Sequence, residues 1–230
     1  MSGQQEIRFE DVCVEFAGRA ALREVSITLN EKRIGVIGSN GSGKSTFARL
    51  FNGLVSPTRG RVMIHGLDPL RDGRRLRQRV GFIFSNPDAQ IVMPTVTEDL
   101  AFSLRGRGLT RAEVDGRVTS TIAAVDLGAH AEASTHGLSS GQKQLLALGA
   151  ILIGEPDLVV ADEPTAMLDA SNSRKIGNRL LDEIPQQLVL VTHDLRLAAR
   201  CDVVLRFKEG MLLEHGDPRS VIARYERDHP

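Results

Sequence analysis

Apolar residues in this chain form short continuous runs separated by longer stretches with helical periodicity. The clearest runs are VGFIF at 80–84, LVVA at 158–161 and LVLVT at 188–192. Runs of four or five apolar, β-forming residues are typical of parallel strands that are buried on both faces of a sheet. The pattern therefore predicts an α/β fold, with a mostly parallel sheet and helices on both of its faces.

The rest of the hydrophobic pattern predicts further strands and the helices. Further strands are predicted at 12–16, 25–29 and 33–37, and as a hairpin over 203–214. Helices are predicted over 46–52, 111–127, 141–153 and 171–184. The amino-terminal strands are expected to be antiparallel. Strand signals vanish between Ser85 and Glu155, so we predict one domain over residues 1–230 with a helical subdomain inserted at 85–155.

Composition narrows the class of protein further. Lys plus Arg and Asp plus Glu both number 29, so bulk charge gives no attraction to nucleic acid or to an anionic membrane. Cys13 and Cys201 lie in strand-like apolar settings and are predicted to be buried, reduced thiols.

No signal peptide is predicted from MSGQQEIRFED. The most apolar segment, LLALGAILIG, has about half the length of a membrane span, so any membrane association is predicted to be peripheral.

The strongest chemical signal is GSNGSGKS at Gly38–Ser45. It fits the phosphate-binding pattern G-x-x-x-x-G-K-[ST] and lies between a predicted strand and a predicted helix, which is the context that the pattern requires. Glycines let backbone N–H groups face one anion, Lys44 reaches the terminal phosphates, and the Ser45 hydroxyl is a ligand for Mg²⁺. A nucleoside triphosphate and Mg²⁺ are therefore the predicted cofactors, and a plain glycine turn is the alternative.

Polar residues of the kinds that such a site needs follow three other predicted strands. Asp162 and Glu163 end LVVADE, where one carboxylate can hold the metal and the other can polarise the attacking water. His193 follows LVLVT, and Ser85 follows VGFIF. The carboxyl ends of parallel strands meet at one edge of a sheet, so these residues are expected to converge. The alternatives are a solvated acidic turn and a histidine that serves only as a hydrogen-bonding group.

A second anion-binding helix start is predicted at LSSGQ, Leu138–Gln142. Residues 38–45 already wrap the phosphates, and one nucleotide does not need two such elements from one chain. A head-to-tail pair of chains, in which each LSSGQ closes the nucleotide of its partner, satisfies both motifs. An ordinary serine N-cap remains the alternative.

GSNGSGKS, LSSGQ, LVVADE, the AMLD of Ala166–Asp169 and His193 occur in the order found in ATP-binding-cassette (ABC) ATPases, which the chain resembles over nearly its whole length. The resemblance implies ATP hydrolysis with Glu163 as catalytic carboxylate, His193 as γ-phosphate switch and Asp169 as a dimer contact. The implied nucleotide-binding residues are Phe16, Gly38, Ser39, Asn40, Gly41, Ser42, Gly43, Lys44, Ser45, Thr46, Ser139, Ser140, Gly141 and Gln142. The implied catalytic residues are Lys44, Glu163 and His193, and the implied magnesium ligands are Ser45, Ser85 and Asp162. An aromatic such as Phe16 on an early strand is more often a core residue, and that alternative stays open.

Ser85 departs from the family pattern, in which a glutamine normally follows this strand and touches Mg²⁺ and water. A serine side chain is two bonds shorter, so contact with the metal requires an inward movement of the loop or a bridging water. We therefore expect hydrolysis to depend less on this residue than it does elsewhere in the family.

The segments NPDAQ at 86–90 and PTVTEDLAF at 94–102 resemble a narrower group, the ATPases of energy-coupling-factor (ECF) importers. That resemblance implies uptake of a micronutrient, with biotin as the first guess and cobalt or another vitamin next. The implied partners are a second ATPase subunit, identical or paralogous, an integral membrane coupling subunit and a substrate-binding membrane subunit. The implied location is the cytoplasmic face of the cell membrane.

Ile91–Pro94 is expected to be an apolar patch that docks the membrane partner, or else to pack into the helical insert. Two rival functions stay open: a soluble ABC ATPase that acts on nucleic acid or in translation, and a non-hydrolytic nucleotide-dependent scaffold. No nucleic-acid partner is predicted, because the sequence shows no tandem cassette, long coiled-coil insert or basic face.

Overall fold

The computed structural model describes residues 5–228 of the protein. Its strands are β1 (Ile7–Phe16), β2 (Arg19–Leu29), β3 (Arg33–Gly38), β4 (Arg59–Ile64), β5 (Val80–Ile83), β6 (Leu158–Asp162), β7 (Gln187–Val191), β8 (Val203–Lys208) and β9 (Met211–Gly216). Its α-helices are α1 (Lys44–Leu50), α2 (Gly73–Arg79), α3 (Val96–Ser103), α4 (Arg111–Ala124), α5 (Ser140–Leu152), α6 (Ala170–Asn178), α7 (Leu195–Ala198) and α8 (Pro218–Asp228). A π-helical turn, Arg179–Glu183, continues α6.

The larger sheet has the strand order β5-β6-β7-β3-β8-β9. Strands β5, β6, β7, β3 and β8 are mutually parallel, and β9 pairs antiparallel with β8. Every residue of β3, β5, β6 and β7 is buried, as expected where helices or a second sheet cover both faces. The predicted α/β fold with a mostly parallel sheet is confirmed.

A smaller antiparallel sheet, β2-β1-β4, packs against one face of the larger one. Between the two sheets lies a cluster of aromatic rings around Phe47 of α1, whose ring centroid is 4.7 Å from that of Phe9 and 4.9 Å from that of Phe207. Aromatic pairs at such distances add to the stabilisation that comes from burial alone. The cluster fixes α1 against both sheets and, with it, the loop that joins β3 to α1.

The prediction of two buried thiols on strands is wrong in part. Cys13 is on β1 but only half-buried, because it points away from the face that carries the buried Val12 and Val14. Its Sγ accepts a hydrogen bond from the N–H of Glu24 at 3.4 Å. Cys201 is buried as predicted but lies in the turn between α7 and β8, and burial raises the pKa of its thiol to about 12.

Residues 84–157 contain α3, α4, α5 and short 3₁₀ turns, and no strand lies in this stretch. The exact limits of the helical insert, 85–155, remain a prediction. Within residues 5–228, no helix combines the length and the apolar character that crossing a bilayer requires.

Arg33, the first residue of β3, anchors the far end of the larger sheet. Its guanidinium is buried and donates to the carbonyl oxygens of Leu181 at 2.8 Å, Ile184 at 2.5 Å and Gln186 at 2.6 Å. Leu181 lies within the π-helical turn, and Ile184 and Gln186 follow it, so these hydrogen bonds connect the start of β3 to the end of the helical segment that begins with α6. Desolvation lowers the pKa of Arg33, and the nearby Asp202 carboxylate opposes that shift.

Candidate nucleotide-binding and hydrolysis site

The loop that joins β3 to α1 can be built only with glycine at two of its positions. Gly38 and Gly43 have φ angles of 152° and 101°. A Cβ atom at Gly38 would lie 2.3 Å from the carbonyl oxygen of Phe207, and one at Gly43 would lie 2.7 Å from that of Ala21. Both distances are far inside van der Waals contact, so the tight loop requires the absence of a side chain.

Lys44 is buried over this loop. Its Nζ donates to the carbonyl oxygens of Gly38 and Ser39, each at 2.8 Å. Desolvation lowers the pKa of its ammonium, while the carboxylates of Glu163 and Asp162 oppose that shift. The ammonium is therefore held inside the loop, where phosphate oxygens can take the place of the carbonyl acceptors.

Ser45 and Asp162 meet where β6 ends beside α1. The Ser45 hydroxyl donates to Asp162 Oδ1 at 3.0 Å, and Asp162 is buried. Burial raises the pKa of the Asp162 carboxyl, and the hydrogen bond from Ser45 opposes this. A hydroxyl and a desolvated carboxylate are hard oxygen donors of the kind that Mg²⁺ prefers, so the residues fit this ion.

Glu163 is oriented by a neighbouring strand end. Its Oε2 accepts hydrogen bonds from His193 Nδ1 at 2.7 Å and from the His193 backbone N–H at 3.3 Å. Glu163 has a φ angle of 53°, an unusual value for a residue with a side chain. Such backbone strain persists only where the surroundings enforce it, and it concentrates at functional sites.

Lys44, Ser45 and Glu163 line one cavity of about 240 Å³. It is lined by the loop residues Asn40–Thr46, by Ala21 and by Glu163. Within the described residues, the buried Ser42 Oγ has no hydrogen-bond partner, so a polar donor in the loop is left for a ligand. The structure thus brings together the predicted loop, Asp162, Glu163 and His193, all at the carboxyl ends of adjacent strands.

Ser85 is half-buried two residues beyond β5, and its hydroxyl forms no hydrogen bond within residues 5–228. Its loop is instead held against α5 by two side-chain hydrogen bonds that the sequence does not predict. Gln90 Nε2 donates to the carbonyl oxygen of Ala147 at 3.0 Å, and Lys143 Nζ donates to Asp88 Oδ1 at 2.7 Å. The NPDAQ pattern includes Gln90 but does not indicate its partner.

None of the LSSGQ residues, 138–142, lines the loop cavity. Ser139 caps α5 in a capping box with Gln142, and Ser139 and Ser140 are exposed. Gly141 is buried, and a Cβ atom there would lie 2.6 Å from Asn172 Cγ. The motif therefore presents two exposed serines from a closely packed helix start, and the Ser139 hydroxyl among them accepts a hydrogen bond from the N–H of Gln142 at 3.3 Å.

Phe16 and Asp169 are both exposed. Phe16 ends β1 with 51% of its surface accessible, so the alternative that it is a core residue is wrong. Asp169 caps α6 by accepting hydrogen bonds from the N–H groups of Ser171 and Asn172, at 2.8 and 2.9 Å. These hydrogen bonds lower the pKa of the Asp169 carboxyl, and the bond from the N–H of Asn172 has the largest effect.

The segment Ile91–Pro94 is partly packed into the helical region and partly exposed. Ile91 packs against the core cluster of the helical region, whereas Val92 is 61% exposed. The buried Asp99 carboxylate accepts hydrogen bonds from the N–H groups of Val92 at 2.9 Å and Met93 at 3.0 Å. The segment is therefore a fixed loop with one large apolar side chain displayed outward.

A phosphate-binding loop, a buried acidic strand end and a histidine-bound glutamate on a parallel sheet define a P-loop nucleotide hydrolase. Residues 22–166 match the model of the ABC transporter family. The chain belongs to this family, and it is an ATP-binding protein with ATPase activity.

Curated relatives match the chain over most of its length. The biotin transport ATP-binding protein BioM of Rhizobium etli is 43% identical over 219 residues, which cover 95% of this chain and 97% of that protein. The energy-coupling factor transporter ATP-binding protein EcfA1 of Symbiobacterium thermophilum is 42% identical over 199 residues, which cover 84% of this chain and 69% of that protein. The resemblance to ATPases of energy-coupling-factor transporters is confirmed.

Two solved structures share the fold. The structure of cbiO1 from Clostridium perfringens, described as part of the ABC transporter complex cbiONQ, matches with a TM-score of 0.86 at 30% identity and covers 97% of this chain and 93% of that one. The ATP-binding cassette MJ0796, in a dimeric post-hydrolysis state bound to ADP and Pi, matches with a TM-score of 0.79 at 26% identity. The match covers 93% of this chain and 99% of that one.

Proposed function

We propose that this chain is the ATP-hydrolysing subunit of an energy-coupling-factor importer, with biotin as its cargo. The hydrolytic part of the proposal rests above all on the 2.7 Å hydrogen bond between His193 Nδ1 and Glu163 Oε2 at the loop cavity. In this assignment Lys44 holds the terminal phosphates and Glu163 accepts a proton from the attacking water. His193 orients the Glu163 carboxylate and contacts the γ-phosphate.

Mg²⁺ is the proposed metal, held by Ser45 and Asp162 with the phosphates of the nucleotide. When bound, it neutralises charge on the phosphate oxygens as the terminal phosphoryl group leaves. The 3.0 Å contact between the Ser45 hydroxyl and Asp162 Oδ1 supports this assignment. Ser85 is proposed as an outer ligand that acts through water.

The proposed working unit is a pair of ATPase subunits, either two copies of this chain or this chain with a paralogue. Ser139 and Ser140 are exposed and do not line the loop cavity of their own chain, which supports a contact with the nucleotide of the partner. Gly141 and Gln142 are assigned to the same contact, Asp169 to the interface beside it, and Phe16 to the adenine ring.

The proposed domain organisation is a single nucleotide-binding domain over 1–230 that carries the helical subdomain at 85–155. Through this subdomain the chain binds the cytoplasmic face of an integral membrane coupling subunit, which in turn holds a substrate-binding membrane subunit. The similarity to BioM over nearly the whole of both chains supports this assembly and favours biotin as cargo. No role of the chain in binding nucleic acid is proposed.

Uptake of radiolabelled biotin by the native cell tests the proposal. Deletion of the gene should abolish high-affinity uptake, and wild-type protein should restore it whereas the Glu163→Gln variant should not. Labelled cobalt serves as the comparison cargo. Biotin uptake that is equal in the deleted and wild-type cells would contradict the assignment of biotin.

Ser85→Ala should lower kcat for ATP by less than about tenfold, the effect of one water-bridged polar contact. The physical reason is the short side chain, which forms no hydrogen bond within the described chain. Steady-state ATP turnover of the purified assembly measures the effect. A loss as complete as that of Glu163→Gln would show that Ser85 is essential, against this expectation.

Val92→Asp should disrupt binding to the membrane coupling subunit and leave the chain's own ATP binding unchanged. Val92 is 61% exposed on the fixed loop, and a carboxylate buried there without a partner should weaken docking by at least about tenfold. The measurement is the amount of coupling subunit that co-purifies with the tagged chain.

The matched control is Leu213→Asp, which places the same charge on β9 at a side chain that is 50% exposed. Equal recovery of the coupling subunit with Val92→Asp and wild-type protein would exclude Val92 from the docking surface. Equal losses with both variants would indicate a general effect of added charge.

A further inference from the structure

The orientation of the Gln142 side chain follows from its hydrogen bonds. Its Oε1 accepts from the backbone N–H of Ser139 at 2.9 Å, and its Nε2 lies 2.8 Å from His130 Nε2. A backbone N–H can only donate, so the amide oxygen of Gln142 must face Ser139. The amide nitrogen, which can only donate, therefore faces the ring of His130.

His130 must then accept this hydrogen bond through Nε2. An imidazole that accepts at Nε2 is neutral and carries its proton on Nδ1. The ring is half-buried in the short 3₁₀ turn Gly128–His130, whose backbone is tied by a 2.8 Å hydrogen bond from the N–H of His130 to the carbonyl oxygen of Leu127. The acceptor is thus placed by a structured turn.

We propose that His130 is a positioning residue for LSSGQ, acting as a hydrogen-bond acceptor that holds the Gln142 amide in the capping box. With Gln142 held, Ser139 and Ser140 keep the orientation in which they contact the nucleotide of the partner subunit. Without the acceptor, the Gln142 amide is free to turn away from Ser139, and the first turn of α5 loses one of its two reciprocal bonds. This inference rests on the proposed function, since it assumes that LSSGQ closes a nucleotide across the pair.

Three variants separate the hydrogen bond from the shape of the side chain. His130→Phe keeps a ring but removes the acceptor, and His130→Gln restores an acceptor oxygen close to the position of Nε2. His136→Phe is the matched control, because His136 is an exposed histidine in the neighbouring 3₁₀ turn Thr135–Gly137.

The measurements are KM and kcat for ATP of the purified ATPase pair, together with binding of a fluorescent ATP analogue to the isolated chain. His130→Phe should lower kcat/KM about fivefold, the effect of one hydrogen bond, with analogue binding unchanged because the loop cavity is intact. His130→Gln should return kcat/KM to within about twofold of wild type, and His136→Phe should match wild type.

Wild-type kinetics in His130→Phe would overturn the inference. Equal impairment in His130→Phe and His130→Gln would overturn it too, because the ring and not the acceptor would then matter. Absence of ATP turnover by the unmodified pair is a different result, which would overturn the proposed function itself.

Discussion

Glu163→Gln is expected to lower kcat for ATP by about a thousandfold, within the range found for the loss of a general base. Glutamine has the shape of glutamate and can still accept from His193, but it cannot take a proton from water. ATP binding should persist, because the loop residues that line the cavity are unchanged. Steady-state turnover and binding of a fluorescent ATP analogue measure the two effects separately.

Glu155→Gln is the matched control for this variant. Glu155 has a φ angle of 50°, close to that of Glu163. Glu155 lies before the start of β6, and Glu163 lies directly after its end. Glu155 does not line the cavity, so the Glu155→Gln variant should hydrolyse ATP at the wild-type rate. If Glu163→Gln kept more than about a tenth of wild-type kcat, the loss would be too small for a general base, and Glu163 would not have that role.

Arg33→Met is expected to destabilise the protein by about 3 kcal/mol, because it leaves buried carbonyl oxygens without donors. The guanidinium donates to three carbonyls, one within the π-helical turn after α6 and two just beyond it. Methionine has a similar length and no polar atom, so packing is largely kept and the hydrogen bonds are lost. Urea unfolding followed by circular dichroism measures the change in free energy.

The control is Arg8→Met on β1. Arg8 has 46% of its side chain exposed and forms a 2.6 Å ion pair with Glu6, which is also partly exposed. Exposed ion pairs contribute little, so this variant should change the free energy of unfolding by less than about 1 kcal/mol. Equal effects from the two variants would exclude a special role for the buried guanidinium.

The sequence predicts the central strands well because each is an unbroken apolar run buried on both faces. It does not predict β4 or α2, whose patterns are weak. β4 begins with three exposed residues, and α2 contains one buried side chain, Leu76, among arginines. The helix predicted over 171–184 overlaps α6, which begins one residue earlier, and ends in a π-helical turn. That ending is stabilised by Arg33, which is 148 residues from Leu181.

The loop, both acidic strand-end residues and His193 could be identified from motifs, because glycine spacing and strand ends leave local signals. The contacts of Gln90 and His130 leave no such signal in the sequence. Gln90 binds a carbonyl 57 residues away, and His130 contacts Gln142 across a turn that shows no regular pattern. The sequence does not predict the exposure of Phe16 either, because an aromatic residue on an early strand is more often a core residue.

Affinity purification of the tagged chain from gently solubilised native membranes, followed by mass spectrometry of proteins and bound small molecules, tests the importer proposal most directly. We expect a multi-span coupling subunit, a small substrate-binding membrane protein and a second ATPase subunit, with biotin bound. Recovery of soluble or ribosomal proteins alone would contradict the importer and leave an ABC ATPase with a different partner.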